Sequence, residues 1–108
     1  MTEDARSARL VSLRAMHEKD PKDAFAAYGL AMELARSPAT ENEAARVFRT
    51  LLEAAPEYLP GYFQLGSLLA RRGESGEARA VYETGIALAA RLGDSHTGDE
   101  LRAAMDFL

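Results

Sequence analysis

Apolar residues recur every three or four positions along most of the chain, which is the spacing of one face of an α-helix. The pattern is clearest in residues 59–89, where two helical stripes flank a turn that contains Gly73 and Gly76. The stripes consist of Tyr62, Leu65, Gly66 and Leu69 in the first helix and Ala78, Tyr82, Gly85 and Ile86 in the second. Small residues in both stripes allow close approach of the two helices. This stretch therefore predicts an antiparallel helical hairpin.

Helices are also predicted on both sides of this hairpin, at residues 2–19, 21–36 and about 41–55 before it and 94–108 after it. Asp20 is the expected N-cap of the second helix, since proline at position 21 suits a first helical turn. Thr40 and Glu43 have the spacing of a capping box for the third. Gly93 suits the C-cap of the fifth, and Asp94 or Ser95 the N-cap of the last.

The hairpin is the second copy of a repeat. Phe48 and Tyr82 are 34 positions apart in the sequence. Leu30 and Ala31 align with Leu65 and Gly66 at a shift of 35 positions. Because this shift is one longer than 34, one extra residue is expected in the turn at residues 37–40. Self-similarity at this period is typical of stacked helical hairpins.

These residues resemble the tetratricopeptide (TPR) repeat, in which an aromatic residue and Leu-Gly of the first helix are followed by Ala and an aromatic residue of the second. The resemblance implies an all-α fold, a right-handed superhelix of about six antiparallel helices. We expect one domain over residues 1–108. Its parts would be a half-repeat helix at residues 2–20, repeat one at 21–58, repeat two at 59–92 and a capping helix at 94–108.

Composition narrows the possible partners and locations. The chain has 108 residues, a net charge of −4 and no cysteine. The acidic balance disfavours nucleic acid, which requires a basic face, and the lack of cysteine excludes disulfides and thiolate chemistry. No signal-peptide pattern and no apolar run of membrane-spanning length occurs, so we expect a cytoplasmic protein without a membrane partner.

Candidate catalytic or metal-binding residues are few. His96, Asp99 and Glu100 fall within one helical turn, but a zinc site needs ligands that converge from supported positions. An N-terminal helical turn with acids favoured by the helix dipole explains the same residues. No phosphate-binding loop or nucleophile motif is present. We therefore expect no enzyme activity, no metal and no cofactor.

The first helix of each TPR hairpin lines a concave groove, and the resemblance implies that this surface binds a peptide or protein segment. The groove residues would be Phe25, Tyr28, Met32 and Arg36 from repeat one and Phe63, Ser67 and Arg71 from repeat two. Aromatic residues, Met and Arg are enriched where proteins bind one another. The alternative is that the aromatic side chains only pack against the end helices.

The sequence therefore predicts a protein-interaction adaptor. The alternative function is a self-associating structural unit, a homodimer formed through the last helix. That alternative rests on the apolar residues Met105, Phe107 and Leu108.

Overall fold

The computed structural model of the protein describes residues 3–108, with side chains from Ala5 onward. Thr2, the predicted first residue of the first helix, lies outside the described residues. The six helices are α1 (Glu3–Lys19), α2 (Ala24–Leu34), α3 (Glu41–Ala54), α4 (Leu59–Arg71), α5 (Ser75–Leu92) and α6 (Ser95–Asp106). One 3₁₀ turn covers Pro38–Thr40, and residues 3–108 contain no strand, so the all-α prediction is confirmed.

The chain divides into two compact units at the boundary between Ala55 and Pro56. Unit 1 contains α1, α2 and α3, and unit 2 contains α4, α5 and α6. Each unit is a helical hairpin of the predicted kind with one further helix packed against it.

In unit 1, α2 is the central helix. Leu13 of α1 closes over Gly29 of α2, and on the other side Phe48 of α3 meets the ring of Tyr28 edge-on at a centroid distance of 6.3 Å. The Thr40 hydroxyl donates a hydrogen bond of 2.6 Å to the carbonyl of Leu34 and so closes the α2–α3 turn. The buried apolar residues are Ala26, Ala27, Leu30, Ala31, Leu34, Ala44, Ala45, Phe48 and Leu51.

The predicted start of the second helix is wrong. The helix begins at Ala24, and its N-cap is Asp23, whose Oδ1 accepts hydrogen bonds from the amides of Phe25 and Ala26. Asp20 instead stabilises the preceding turn by accepting from the amide of Lys22. Two aspartates flank the proline turn, and only the second has the geometry to reach the free amides of the first helical turn.

The predicted capping box is also wrong. The Thr40 side chain makes no cap bond to α3, because its hydroxyl donates backward to the carbonyls of Leu34 and Ser37. The Glu43 carboxylate does not reach back to Thr40 either; it accepts two hydrogen bonds from the Arg14 guanidinium of α1. Glu43 therefore forms an ion pair with a residue of another helix instead of the predicted capping box.

In unit 2, α4 and α5 cross at the predicted glycine. A Cβ atom on Gly66 would lie 2.4 Å from Cε1 of Tyr82, closer than real contacts allow. A Cβ on Gly85 would lie 2.9 Å from that of Tyr62. Residues 62 and 66 of α4 thus meet residues 85 and 82 of α5, which makes the pair antiparallel. Glycine is required at position 66 because an aromatic ring occupies the space of its side chain.

The last helix extends unit 2 in the same manner. Leu101 of α6 lies against Gly85, and Gly98 lies against Ala89, so α5 and α6 are antiparallel too. Gly93 has a φ of 73°, the left-handed conformation expected of a glycine C-cap. Of the two predicted N-cap candidates for α6, Asp94 and Ser95, the structure has Asp94 in that role. Among the described residues, no helix has the length and apolar character needed to cross a membrane.

Candidate functional site

The predicted binding residues of unit 1 follow one side of α2. Phe25 is 74% exposed, while Tyr28 and Met32 are half-buried. Phe25 is therefore largely exposed to solvent. Tyr28 has a structural contact as well, since its ring meets that of Phe48. Arg36 lies beyond the end of α2 and is exposed.

Arg36 has a role that the sequence did not predict. Its Nη1 lies 3.7 Å from Oε2 of Glu33, and the same oxygen lies 3.8 Å from Nη1 of Arg9. Glu33 is only 7% exposed, and its Oε1 has no hydrogen-bond partner. A buried carboxylate requires a counter-charge. Arg36 therefore helps to neutralise Glu33 in addition to any contact with a partner. The spacing of Glu33 and Arg36, three residues apart, was the available sequence signal.

The predicted binding residues of unit 2 lie at spacings of four along α4. Phe63 and Ser67 are half-buried, and Arg71 is exposed. The Phe63 ring packs against Tyr82 of α5 with a centroid distance of 6.4 Å and an interplanar angle of 56°. Phe63 thus contributes to the core of unit 2 with one part of its ring and remains accessible with another.

Phe63 also lines a pocket in unit 2, which we call the α4–α6 pocket. It has a volume of about 300 Å³. Its lining residues are Leu59, Pro60, Phe63 and Gln64 from α4 and Asp94, Thr97 and Glu100 from the start of α6. The sequence did not predict a pocket here: Asp94 was expected only as a possible N-cap, Glu100 was considered only as a metal ligand, and Thr97 was not singled out. The available signal was the polar residue Glu100 at a place where a further repeat would have an apolar or small residue.

The α6 side of the pocket is acidic. Both carboxylate oxygens of Asp94 accept hydrogen bonds from Thr97, Oδ1 from the backbone amide at 3.0 Å and Oδ2 from the hydroxyl at 2.7 Å. These bonds, the backbone one first, hold the pKa of Asp94 below its usual range. The Glu100 carboxylate lies 3.3 Å from Nε2 of His96. The pocket therefore combines an apolar side with two carboxylates.

The other candidate chemistry does not converge in space. Asp99 lies 3.4 Å from the Arg102 guanidinium, and His96 is largely exposed beside Glu100. Among the side chains that the structure describes, residues 5–108, no three of His, Asp or Glu lie close enough together to hold a metal ion. In unit 1, the buried Nδ1 of His17 has no hydrogen-bond partner.

The solved structures that are similar to this chain include two of tetratricopeptide repeat domain proteins. A solution NMR structure of a tetratricopeptide repeat domain protein from Salinibacter ruber is 32% identical, covers 80% of this chain and 86% of its own, and has a TM-score of 0.73. A crystal structure of a tetratricopeptide repeat domain protein from the same organism is 31% identical, covers 77% of this chain and 92% of its own, and has a TM-score of 0.70.

No protein-family model and no curated protein matches the chain. The structural similarity extends over most of both chains, at an identity above 30%. The two hairpins of this chain also repeat one aromatic contact, Tyr28 with Phe48 and Phe63 with Tyr82, as expected of a repeat protein. The chain therefore belongs to the tetratricopeptide repeat family, and the predicted helical-repeat fold is confirmed.

Proposed function

We propose that the protein is a non-enzymatic interaction module that binds a peptide or protein segment through the exposed sides of α2 and α4. Helical repeat proteins generally present extended surfaces to protein partners. The binding residues would be Phe25, Tyr28, Met32, Arg36, Phe63, Ser67 and Arg71. Arg71 and Arg36 would pair with carboxylates of the segment, and the aromatic rings and Met32 would supply apolar contact area.

One observation carries this proposal above all. Phe25 leaves 74% of its surface in water although burial of a phenylalanine side chain is favourable by roughly 1.5 to 3 kcal/mol. Tyr28 and Met32 follow it at i+3 and i+7, the spacing of one side of a helix, and both are half-buried. An apolar surface of this kind is typical of a contact site.

The experiment compares two exposed phenylalanines. Peptides selected from a random display library on the wild-type protein are measured by fluorescence anisotropy against Phe25→Ser and Phe107→Ser, the latter residue being 91% exposed on the other unit. We expect Phe25→Ser to weaken binding by at least about tenfold, as for a hot-spot residue, and Phe107→Ser to leave it unchanged. Equal affinities for all three proteins would contradict the proposed binding face.

The second candidate function, self-association through the last helix, rests on a separate observation. Phe107 follows the end of α6 and is almost fully exposed, and Met105 and Leu108 beside it are half-buried. A second copy of the chain would cover this surface in an isologous dimer. Sedimentation equilibrium of the wild type, Phe107→Ser and Phe25→Ser tests it. We expect a dimer that Phe107→Ser alone dissociates, and a monomeric wild type at micromolar concentration would exclude this function.

A further inference from the structure

The α4–α6 pocket of unit 2 has a more specific chemistry than an apolar binding surface. We propose that it binds one cationic side chain, arginine or lysine, of the partner segment. This inference rests on the proposed function, because it names the chemistry of the ligand for part of the same surface. It also predicts a preference that a purely apolar face would not have.

The size and lining of the pocket suit a single long side chain. Its volume of about 300 Å³ is at the lower end of the range for small-ligand pockets, roughly 300 to 1,000 Å³. Leu59, Pro60 and Phe63 line the α4 side. Lysine and arginine have aliphatic stems that lie favourably on apolar surface while the charged end stays near water.

The charges of the pocket are complementary to a cation. Asp94 and Glu100 line the α6 side, and no lysine or arginine is among the lining residues. A carboxylate side chain would face Asp94 and Glu100 with no lysine or arginine in the lining, so an acidic residue is disfavoured at this position of the segment. The net charge of −4 adds to this selectivity by attracting basic partners.

Each side of the pocket supplies a different interaction. The half-buried ring of Phe63 lines the pocket and can receive a guanidinium or ammonium group on its accessible part. Glu100 is 52% exposed in its side chain and can accept hydrogen bonds from the same group. Asp94 contributes charge rather than new hydrogen bonds, because Thr97 already donates to both of its oxygens. The ligand therefore lies between an aromatic ring and two carboxylates.

The experiment uses a small probe and its neutral isostere. The ¹⁵N-labelled full chain is titrated with N-acetyl-arginine methylamide and with the matching citrulline compound, which differs by the loss of charge. We expect the arginine probe to shift the amide signals of Phe63, Thr97 and Glu100. We expect the citrulline compound to bind at least about tenfold more weakly, as for the loss of a charge-assisted contact. Equal affinity for the two probes would overturn the inference.

Matched variants locate the effect. Glu100→Gln should weaken binding of the arginine probe by about tenfold. The control is Glu83→Gln, which changes an exposed glutamate of α5 outside the pocket and should leave the affinity unchanged. Equal weakening by both variants would show attraction by net charge alone and overturn the inference. Phe63→Ala is a second variant, and its folding must be checked because Phe63 also packs on Tyr82.

The peptides from the display library separate this inference from the proposed function. If they bind in a Phe25-dependent manner but contain no excess of arginine or lysine, and the two probes bind equally, the cation pocket is wrong and the proposed function stands. If the library yields no peptide while the arginine probe binds in a Glu100-dependent manner, the pocket is supported and the proposed function fails.

Discussion

The hairpins α2–α3 and α4–α5 both pack two helices through an aromatic pair, but they differ in the small residue beside it. An aromatic pair joins the two helices in each, with centroid distances of 6.3 Å for Tyr28 with Phe48 and 6.4 Å for Phe63 with Tyr82. In unit 2 the Tyr82 ring takes the space of a side chain at Gly66. In unit 1 the corresponding residue is a fully buried alanine, Ala31. Both hairpins thus share the aromatic contact, whereas only the α4–α5 hairpin has a glycine at this position, where the Tyr82 ring lies against Gly66.

The polar groups of the two units differ more than their cores. In unit 1 two carboxylates are neutralised by arginines of the same unit, Glu43 by Arg14 and Glu33 by Arg9 and Arg36. In unit 2 the part-buried hydroxyl of Tyr62 donates a hydrogen bond of 2.7 Å to the carbonyl of Pro56. The carboxylates of Asp94 and Glu100 line the α4–α6 pocket. The two carboxylates of unit 1 therefore have arginine partners, whereas Asp94 and Glu100 of unit 2 line a pocket without lysine or arginine.

The largest expected effect comes from removal of the aromatic residue of either hairpin. Phe48 and Tyr82 are 0% and 2% exposed, so Phe48→Ala and Tyr82→Ala should each destabilise the protein by about 3 to 5 kcal/mol. Urea unfolding measures the loss, and amide hydrogen exchange should rise most in the unit that carries the change. Tyr82→Phe keeps the ring and should cost less than about 1.5 kcal/mol. An alanine variant as stable as the wild type would contradict the shared packing.

A smaller effect separates the two hairpins. Alanine is favoured over glycine in a helix by about 1 kcal/mol, yet Gly66→Ala should destabilise by about 1 to 3 kcal/mol because its Cβ would meet the Tyr82 ring. The control is Gly76→Ala in α5, where nothing lies within 4 Å of an added Cβ. That change should stabilise by roughly 0.4 to 1 kcal/mol. A lower melting temperature for Gly76→Ala than for Gly66→Ala would contradict the close approach of Gly66 to the Tyr82 ring.

The smallest expected effect depends on pH. The hydrogen bonds from Arg14 and its charge lower the pKa of Glu43 in the folded state. The resulting stabilisation is therefore present above the unfolded pKa of about 4.3 and is lost as the pH falls through the lower folded pKa. Because the side chains are 39% and 29% exposed, Glu43→Gln should cost only about 0.5 to 1 kcal/mol at pH 7.

Urea unfolding between pH 3 and 7 checks this prediction. The stability difference between wild type and Glu43→Gln should shrink as the pH falls below about 4, when the wild-type carboxyl group also becomes neutral. The matched control is Asp99→Asn in unit 2, which removes a more exposed pair with Arg102. Its effect should be smaller, within about 0.5 kcal/mol. A pH-independent difference for Glu43→Gln would exclude the ion pair as its cause.

The repeat register could be predicted from sequence because it depends on spacing. The stripe of Tyr62, Leu65, Gly66 and Leu69 is buried, as its helical period predicts. Helix starts were less predictable, since Asp20 and Asp23 are both suitable N-cap residues and only the fold of the turn distinguishes them. The binding residues stay a prediction, with Phe25 exposed, Arg36 paired and Phe63 partly in the core.

By itself, the sequence determined the helices, the period of the repeat and the small residues at the α4–α5 crossing, because these follow from which residues share one face of a helix. Only the tertiary structure decided how polar side chains are used. Glu43 pairs with Arg14 from another helix, and Asp94 and Glu100 meet Phe63 across a pocket, although about thirty residues or more separate each pair in the chain. Local spacing carries no information on such contacts, since they form only after the helices have packed.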